Sequence, residues 1–339
     1  MQDEIHNWTG GAFVHSHNRI EDELEVQKSQ GDVDESVADL LYRYTDGSMT
    51  LGAISIYLEN IFGKTIPLTD TQHPSYILHP EYDDLPDSAK VEFYNPQAID
   101  ATIDLLSKCM LERMRVVRRA KQLSHVLTGA EVDILSPKGR LSLTDEALSQ
   151  LDYVTCSFHS SLWKATGNSD PSKAVCLDTY NHALTNPNVD TLSHPTINIP
   201  LDVKMSMTPQ DWNELFQLMS EKQVAFEVNL DSTNLAFNNG RNLDRALLLN
   251  ALNHGVPIVI GFDFHYPHDW GCYPSPRLVT KDKAEKLFHE HLENGSIDRL
   301  LARVLGNIYA LKQLGLQPTD ILNNGQGQFV NWLRKRNQL

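Results

Sequence analysis

Imidazoles and carboxylates recur along this chain in short clusters whose residue types suit metal chemistry. The first is His15-Ser16-His17 and the last is Asp263-Phe264-His265, each a pair spaced by one residue. Between them come Leu68-Thr69-Asp70 with His73 shortly after, Gly129-Ala130-Glu131-Val132-Asp133, Ser157-Phe158-His159, Ser193-His194-Pro195 and Glu227-Val228-Asn229. Imidazole nitrogens and carboxylate oxygens are the ligand set of zinc, manganese and iron. A spacing of two along a strand points both side chains to one face. Each cluster alone has an ordinary explanation: a hydrogen-bonded strand-end histidine, a Glu131 paired with an arginine, a Ser-His-Pro turn. Their joint recurrence favours metal.

What positions them is a series of short apolar runs, each leading into one cluster. The runs are Ala12–Val14, Thr65–Leu68, Val126–Ile134, Tyr153–Cys156, Val189–Leu192, Val224–Leu230 and Pro257–Phe262. Helical periodicity fills the intervals. Asp100–Leu123 places Ile103, Leu106, Met110, Met114 and Val117 on one face. Thr208, Pro209 and Asp211 open a second helix that runs to about Gln223. Asn242–His254 closes at Gly255, and Ser296 caps Ile297–Leu314. Strands alternating with helices predict parallel βα units, in an open sheet or a closed barrel. In a barrel, the strand C-termini converge on one rim, where catalytic groups gather. The chain reads as one domain, 1–339, with irregular segments at 21–64 and 74–96.

Composition narrows the function. With 29 Lys+Arg against 44 Asp+Glu the net charge is −15, which disfavours a general nucleic-acid binder and argues only weakly against a nuclease. Cys109, Cys156, Cys176 and Cys272 form no CxxC pair, so neither a disulfide framework nor a thiolate zinc site is expected. There is no signal-peptide pattern at the start and no apolar run long enough to span a membrane, so the expected location is cytoplasmic.

Other polar residues take structural readings. His6, His125, His182, His254, His289 and His291 are assigned to loops, helix ends or helix surfaces. Arg113, Arg115, Arg118 and Arg119, and the group Arg334, Lys335 and Arg336, read as solvated helix faces. Arg19 and Lys164 lie beside the clusters. Trp163, Trp270 and Tyr273 read first as packing residues.

The stretch LTGAEVDILSPKGRLSLTDEALSQLDYVTCSFHSSLWK, with LSHPTI, VAFEVN, PIVIGFDFH and a terminal ILNN and FVNWLRKR, resembles the PHP (polymerase and histidinol phosphatase) phosphoesterases. It looks closest to the PHP domain attached to bacterial family X DNA polymerases. The resemblance covers most of the chain from about residue 98 onward and includes no polymerase domain. It implies a distorted seven-stranded (β/α)7 TIM-like barrel of the α/β class, with two or three divalent metal ions (zinc, manganese or iron). It implies metal ligation by His15, His17, Glu131, His159, His194, Asp263 and His265, with Glu131 bridging two ions. Glu131, Asp263 and His265 are the implied catalytic residues. Asp22 matches an acidic position of the first motif and joins Arg19 and Lys164 as a candidate substrate contact. The second motif departs from the family: Thr71 stands where a histidine is expected, and His73 is the candidate substitute. The implied activity is hydrolysis of a phosphate ester, most readily a small phosphomonoester. The alternatives are a 3′–5′ exonuclease or phosphodiesterase, a non-catalytic PHP-like domain, and last a C–N hydrolase of the amidohydrolase type.

Overall fold

The computed structural model describes residues 2–9, 12–33, 41, 47–63, 65–74, 99–197, 199–229, 243–264 and 279–336. Seven parallel strands close into a barrel in sequential order: β1 (Phe13–Ser16), β2 (Leu68–Gln72), β3 (Val126–Asp133), β4 (Tyr153–Ser157), β5 (Thr191–Leu192), β6 (Ala225–Asn229) and β7 (Ile258–Phe264). Every expected strand is present and the α/β barrel is the observed architecture. The second strand lies further along than the apolar run suggested, because its buried stretch is Leu-Thr-Asp-Thr-Gln. Inside a barrel end, polar residues are buried and hydrogen-bonded, so an apolar pattern does not mark them.

Helices Ile99–Arg119, Asn213–Lys222 and Leu243–Asn253 match the expected periods. Thr208 and Asp211 form a reciprocal capping box over a short 3-10 turn, Pro209–Trp212. The start of the helix Ser296–Gln313 differs from expectation: its N-cap is Gly295, at φ 73, a left-handed position that glycine adopts without a Cβ clash. Segment 21–64 also departs from an irregular reading, since it contains the helices Glu21–Ser29 and Leu51–Phe62. Thr50 caps the second of these by accepting from the Ala53 N–H. Segment 75–96 lies outside the described residues.

The end of the barrel opposite the strand C-termini is filled by the helix Gln326–Arg336. Its Phe329, Trp332 and Leu333 pack with Ala12, Val14, Tyr153, Ala225 and Val259. Arg336, expected to be solvated, is buried there. It donates from Nε to Asp190 Oδ1 at 3.0 Å and to the carbonyls of Val189, Pro187 and Lys222. Burial raises the Asp190 carboxyl to about 6 despite this partner. Among the described residues, no helix is long and apolar enough to cross a membrane.

Candidate metal centre

Two irregularities in the barrel ladder fall at the strands that carry the first and last clusters. Between pairing positions, β1 advances from Phe13 to Ser16 while β2 advances only from Leu68 to Asp70. On the other side, β7 advances from Gly261 to Phe264 while β1 advances only from Val14 to Ser16. The extra residue in a bulge re-aims side chains. His15 and Asp263 lie in these stretches at φ 61 and φ 47, and His194 after β5 stands at φ 26. Non-glycine residues in this region cost of order 1–3 kcal/mol each, and such positions concentrate at functional sites.

The result is a compact group of donors. Glu131 Oε2 lies 3.3 Å from His15 Nε2 and 3.3 Å from His17 Nε2. Asp263 Oδ1 lies 3.3 Å from His17 Nε2 and 3.5 Å from His15 Nε2. Four donors around one zinc at bond lengths of about 2.0–2.1 Å stand about 3.3 Å apart. The chain's own spacing therefore fits an ion at the centre of His15, His17, Glu131 and Asp263. The other oxygen of the same glutamate, Oε1, stands 2.9 Å from His194 Nε2 and 3.8 Å from His159 Nε2. Glu131, His159 and His194 thus form a second group able to hold an ion. Glu131 is 3% exposed, whereas the Asp263 and His159 side chains, at 14% and 21%, mark the side open to solvent.

The electrostatics are those of a site prepared for cations. Burial opposes ionisation of Glu131, but the His15 charge and bonds from His15, His17 and His194 outweigh it and hold the carboxyl well below its usual range. Burial likewise disfavours the His15 cation, yet Glu227, Asp263 and Glu131 raise its pKa well above an ordinary imidazole. His194 is raised in the same sense: burial is again overcome, here chiefly by Glu131.

Three residues of the sequence clusters that were not among the expected ligands support this group. Glu227, fully buried on β6, takes His15 Nδ1 at 2.8 Å. Asn229 donates from Nδ2 to Glu227 Oε1 at 3.0 Å and to Asp263 Oδ2 at 3.1 Å. Asp133, one step beyond Glu131 on the same face of β3, meets His159 and His73. Glu227-Val228-Asn229 and Asp133 were visible as strand-end residues, but only the folded register pairs them with particular imidazoles.

Other expectations are redistributed. His73 is brought to Asp133 and His159 rather than to Glu131. Thr71 is buried and donates to the Ser16 carbonyl. His265 lies outside the described residues, as do Trp270, Cys272 and Tyr273. The candidate substrate contacts do not join the donor groups: Arg19 pairs with Glu21, Lys164 with Asp170 at 3.0 Å, and Asp22 accepts from the Lys281 backbone N–H at 2.9 Å. Besides Arg336, two residues assigned to surfaces are interior. Arg113 is buried against Asp70, and His291 is buried with Nδ1 2.9 Å from the Tyr57 hydroxyl, because their partners are distant in sequence.

No family profile matches the chain. Among curated proteins, the DNA polymerase/3′-5′ exonuclease PolX of Bacillus subtilis is 31% identical over 140 residues, 41% of this chain. A probable phosphatase of Photobacterium profundum is 28% identical over 169 residues, 49% of this chain. One from Caldicellulosiruptor bescii is 28% identical over 157 residues, 46% of this chain. These similarities agree with the resemblance of the sequence to PHP phosphoesterases. The matches span 22% of PolX and 63% and 60% of the two phosphatases, so they cover part of each relative. A solved chain of archaeal ribonuclease P with mature tRNA is 20% identical, with a TM-score of 0.29, and matches 56% of this chain and 74% of its own length.

Proposed function

We propose that this chain is a metal-dependent phosphoesterase that hydrolyses a small phosphomonoester at a pair of divalent ions, zinc, manganese or iron. The observation that carries the reading is the division of Glu131, with Oε2 facing His15 and His17 and Oε1 facing His194 and His159. One buried carboxylate shared between two imidazole groups suits a bridging ligand. Ions held there would supply Lewis acidity towards phosphoryl oxygens and bring the pKa of water towards neutrality.

The chain's own residues set the stage for that chemistry. Glu131 and Asp263 provide anionic charge that offsets part of the charge of two dications. Glu227 and Asn229 orient His15 and Asp263 from behind. Solvent and substrate approach past Asp263 and His159. The leaving alkoxide needs a proton, a role we assign to His265 or His17, whichever is not committed to an ion. Arg19, Asp22 and Lys164 remain the proposed substrate contacts from the rim. The relatives named probable phosphatases favour a phosphomonoester. A second reading, 3′–5′ exonuclease, draws on the PolX relative. The net charge of −15 weighs against it, since duplex and single strands are bound mainly through phosphate neutralisation.

The test is elemental analysis of purified protein, paired with p-nitrophenyl phosphate and end-labelled oligonucleotide turnover, with and without chelator. Two or more ions per chain and chelator-sensitive phosphatase turnover, both lost in Glu131→Ala, are expected. Efficient, salt-sensitive removal of 3′ nucleotides with little phosphatase activity would transfer the assignment to the exonuclease. A protein that stays inactive and metal-free after reconstitution would leave a non-catalytic domain.

A further inference from the structure

We infer that Asp133, steadied by His73, is a positioning residue that fixes His159 with its proton on Nδ1 and turns Nε2 towards Glu131 and His194. The inference rests on the metal reading of the site proposed above.

Asp133 is fully buried and rigidly placed. Its backbone N–H donates to Ser142 Oγ at 3.0 Å, and its carbonyl accepts from the Ser142 N–H at 3.0 Å. On the adjacent strand it sits level with Ser157, two residues before His159. Its Oδ1 lies 2.7 Å from His159 Nδ1 and 3.0 Å from His73 Nε2, while those two nitrogens are 3.4 Å apart. A separation of 2.7 Å is that of a charge-assisted N–H···O⁻ bond, which runs about 2.7–2.9 Å. Oδ1 therefore accepts N–H bonds from both rings. With its proton on Nδ1, His159 keeps a lone pair on Nε2, the nitrogen 3.8 Å from Glu131 Oε1.

An ion of its own for His73, Asp133 and His159 is the competing arrangement. It would require His159 to give up the Nδ1 proton while Nε2 already serves the neighbouring group. The other half of the site repeats the hydrogen-bonded solution: His15 turns Nδ1 to buried Glu227 at 2.8 Å and Nε2 to Glu131 at 3.3 Å. Each proposed ion thus has one imidazole backed by a buried carboxylate. A carboxylate in that position fixes the tautomer and raises ligand basicity, and its loss typically weakens metal binding about 10–100-fold. His73, the sequence candidate for the histidine missing at Thr71, then serves to hold Asp133 in place.

Zinc competition against a chromophoric chelator, on metal-free wild type, Asp133→Asn and His73→Ala, tests this. Histidine-selective nitrogen NMR of the metal-free proteins reports the His159 tautomer. Asp133→Asn should keep tight binding at the group containing His15 and weaken the group containing His159 by about 10–100-fold. His73→Ala should weaken that same group by less. His159 should carry its proton on Nδ1 in the wild type and lose that preference in Asp133→Asn. Wild-type zinc affinity in Asp133→Asn overturns the inference and leaves the metal centre standing. A third wild-type ion lost in both variants also overturns it, by making Asp133 and His73 ligands. A wild type that binds no zinc removes the metal reading and this inference together. If Asp133→Asn does not fold, an Nε2-protonated His159 in the wild type overturns the inference and an Nδ1-protonated one, with a weakened His73→Ala, supports it.

Discussion

Arg113 grips Asp70 with two nitrogens, Nε to Oδ2 and Nη2 to Oδ1, each at 2.9 Å, and Nη2 also donates to the Asn18 carbonyl at 2.7 Å. The pair is buried on both sides, at 3% and 2% side-chain exposure. One side chain of the outer helix Ile99–Arg119 thereby ties the end of β2 to the segment just after His17. Removing one member of a buried pair strands the other, so Arg113→Ala should cost about 3–5 kcal/mol in urea unfolding. Arg113→Lys should restore little of it, because an ammonium cannot reproduce the planar two-nitrogen grip. A loss under about 1 kcal/mol for Arg113→Ala would show that water replaces the guanidinium.

Metal binding should expel protons. In the metal-free protein His15 holds its proton well above the usual imidazole range, since Glu227, Asp263 and Glu131 outweigh its burial. The metal-free site thus favours the protonated form of His15, and an ion can take its Nε2 only after that proton leaves. Calorimetry of zinc binding in buffers of different ionisation enthalpy should report at least one proton released per chain at pH 7. Apparent affinity should rise with pH until His15 is neutral without metal. Binding heats that do not depend on the buffer would show that His15 is already neutral.

Glu23 supplies a separate pH signature. Burial lifts its carboxyl to about 7, and its side chain is 2% exposed. The folded state thus holds this proton more tightly than the unfolded chain, whose carboxyl titrates near 4.3. Stability from this group is full below that value and declines as pH rises through about 7, by roughly 3 kcal/mol in total. Glu23→Gln should remove that decline and raise the unfolding free energy at pH 8. Parallel wild-type and variant curves between pH 4 and 8 would contradict the assignment.

Gly261 makes room for Glu227. A Cβ there would fall 2.0 Å from Glu227 Oε1 and 2.4 Å from its Cδ. Gly261→Ala should cost about 1–3 kcal/mol through overpacking. It should also push Glu227 off His15 and weaken zinc binding at the His15 group. Gly261→Ala with wild-type thermal stability and zinc affinity would mean the carboxylate has another place to go.

The barrel was legible because β-branched runs separated by helical periods leave few other architectures. The donors were legible by residue type and by their place after each run. What sequence could not supply was pairing across the barrel. Arg113, Arg336 and His291 read as surface residues because Asp70, Asp190 and Tyr57 come near them only in the folded chain. Asp133 and Glu227 were visible as carboxylates, yet their task depends on which imidazole nitrogen each one meets. The residues at positive φ in the two bulges, His15 and Asp263, are not glycines, so residue type did not announce them.

The first donor group straddles the line where the barrel closes. His15 lies on β1 with His17 just after it, and Asp263 lies on β7, strands far apart in sequence that pair only through a bulged ladder. An ion shared by them would act as a reversible cross-link, removing freedom from the open chain as a disulfide does when it joins distant segments. Chelation should then loosen the molecule unevenly, with amide exchange rising first along β1 and β7 while β3 and β4 stay protected.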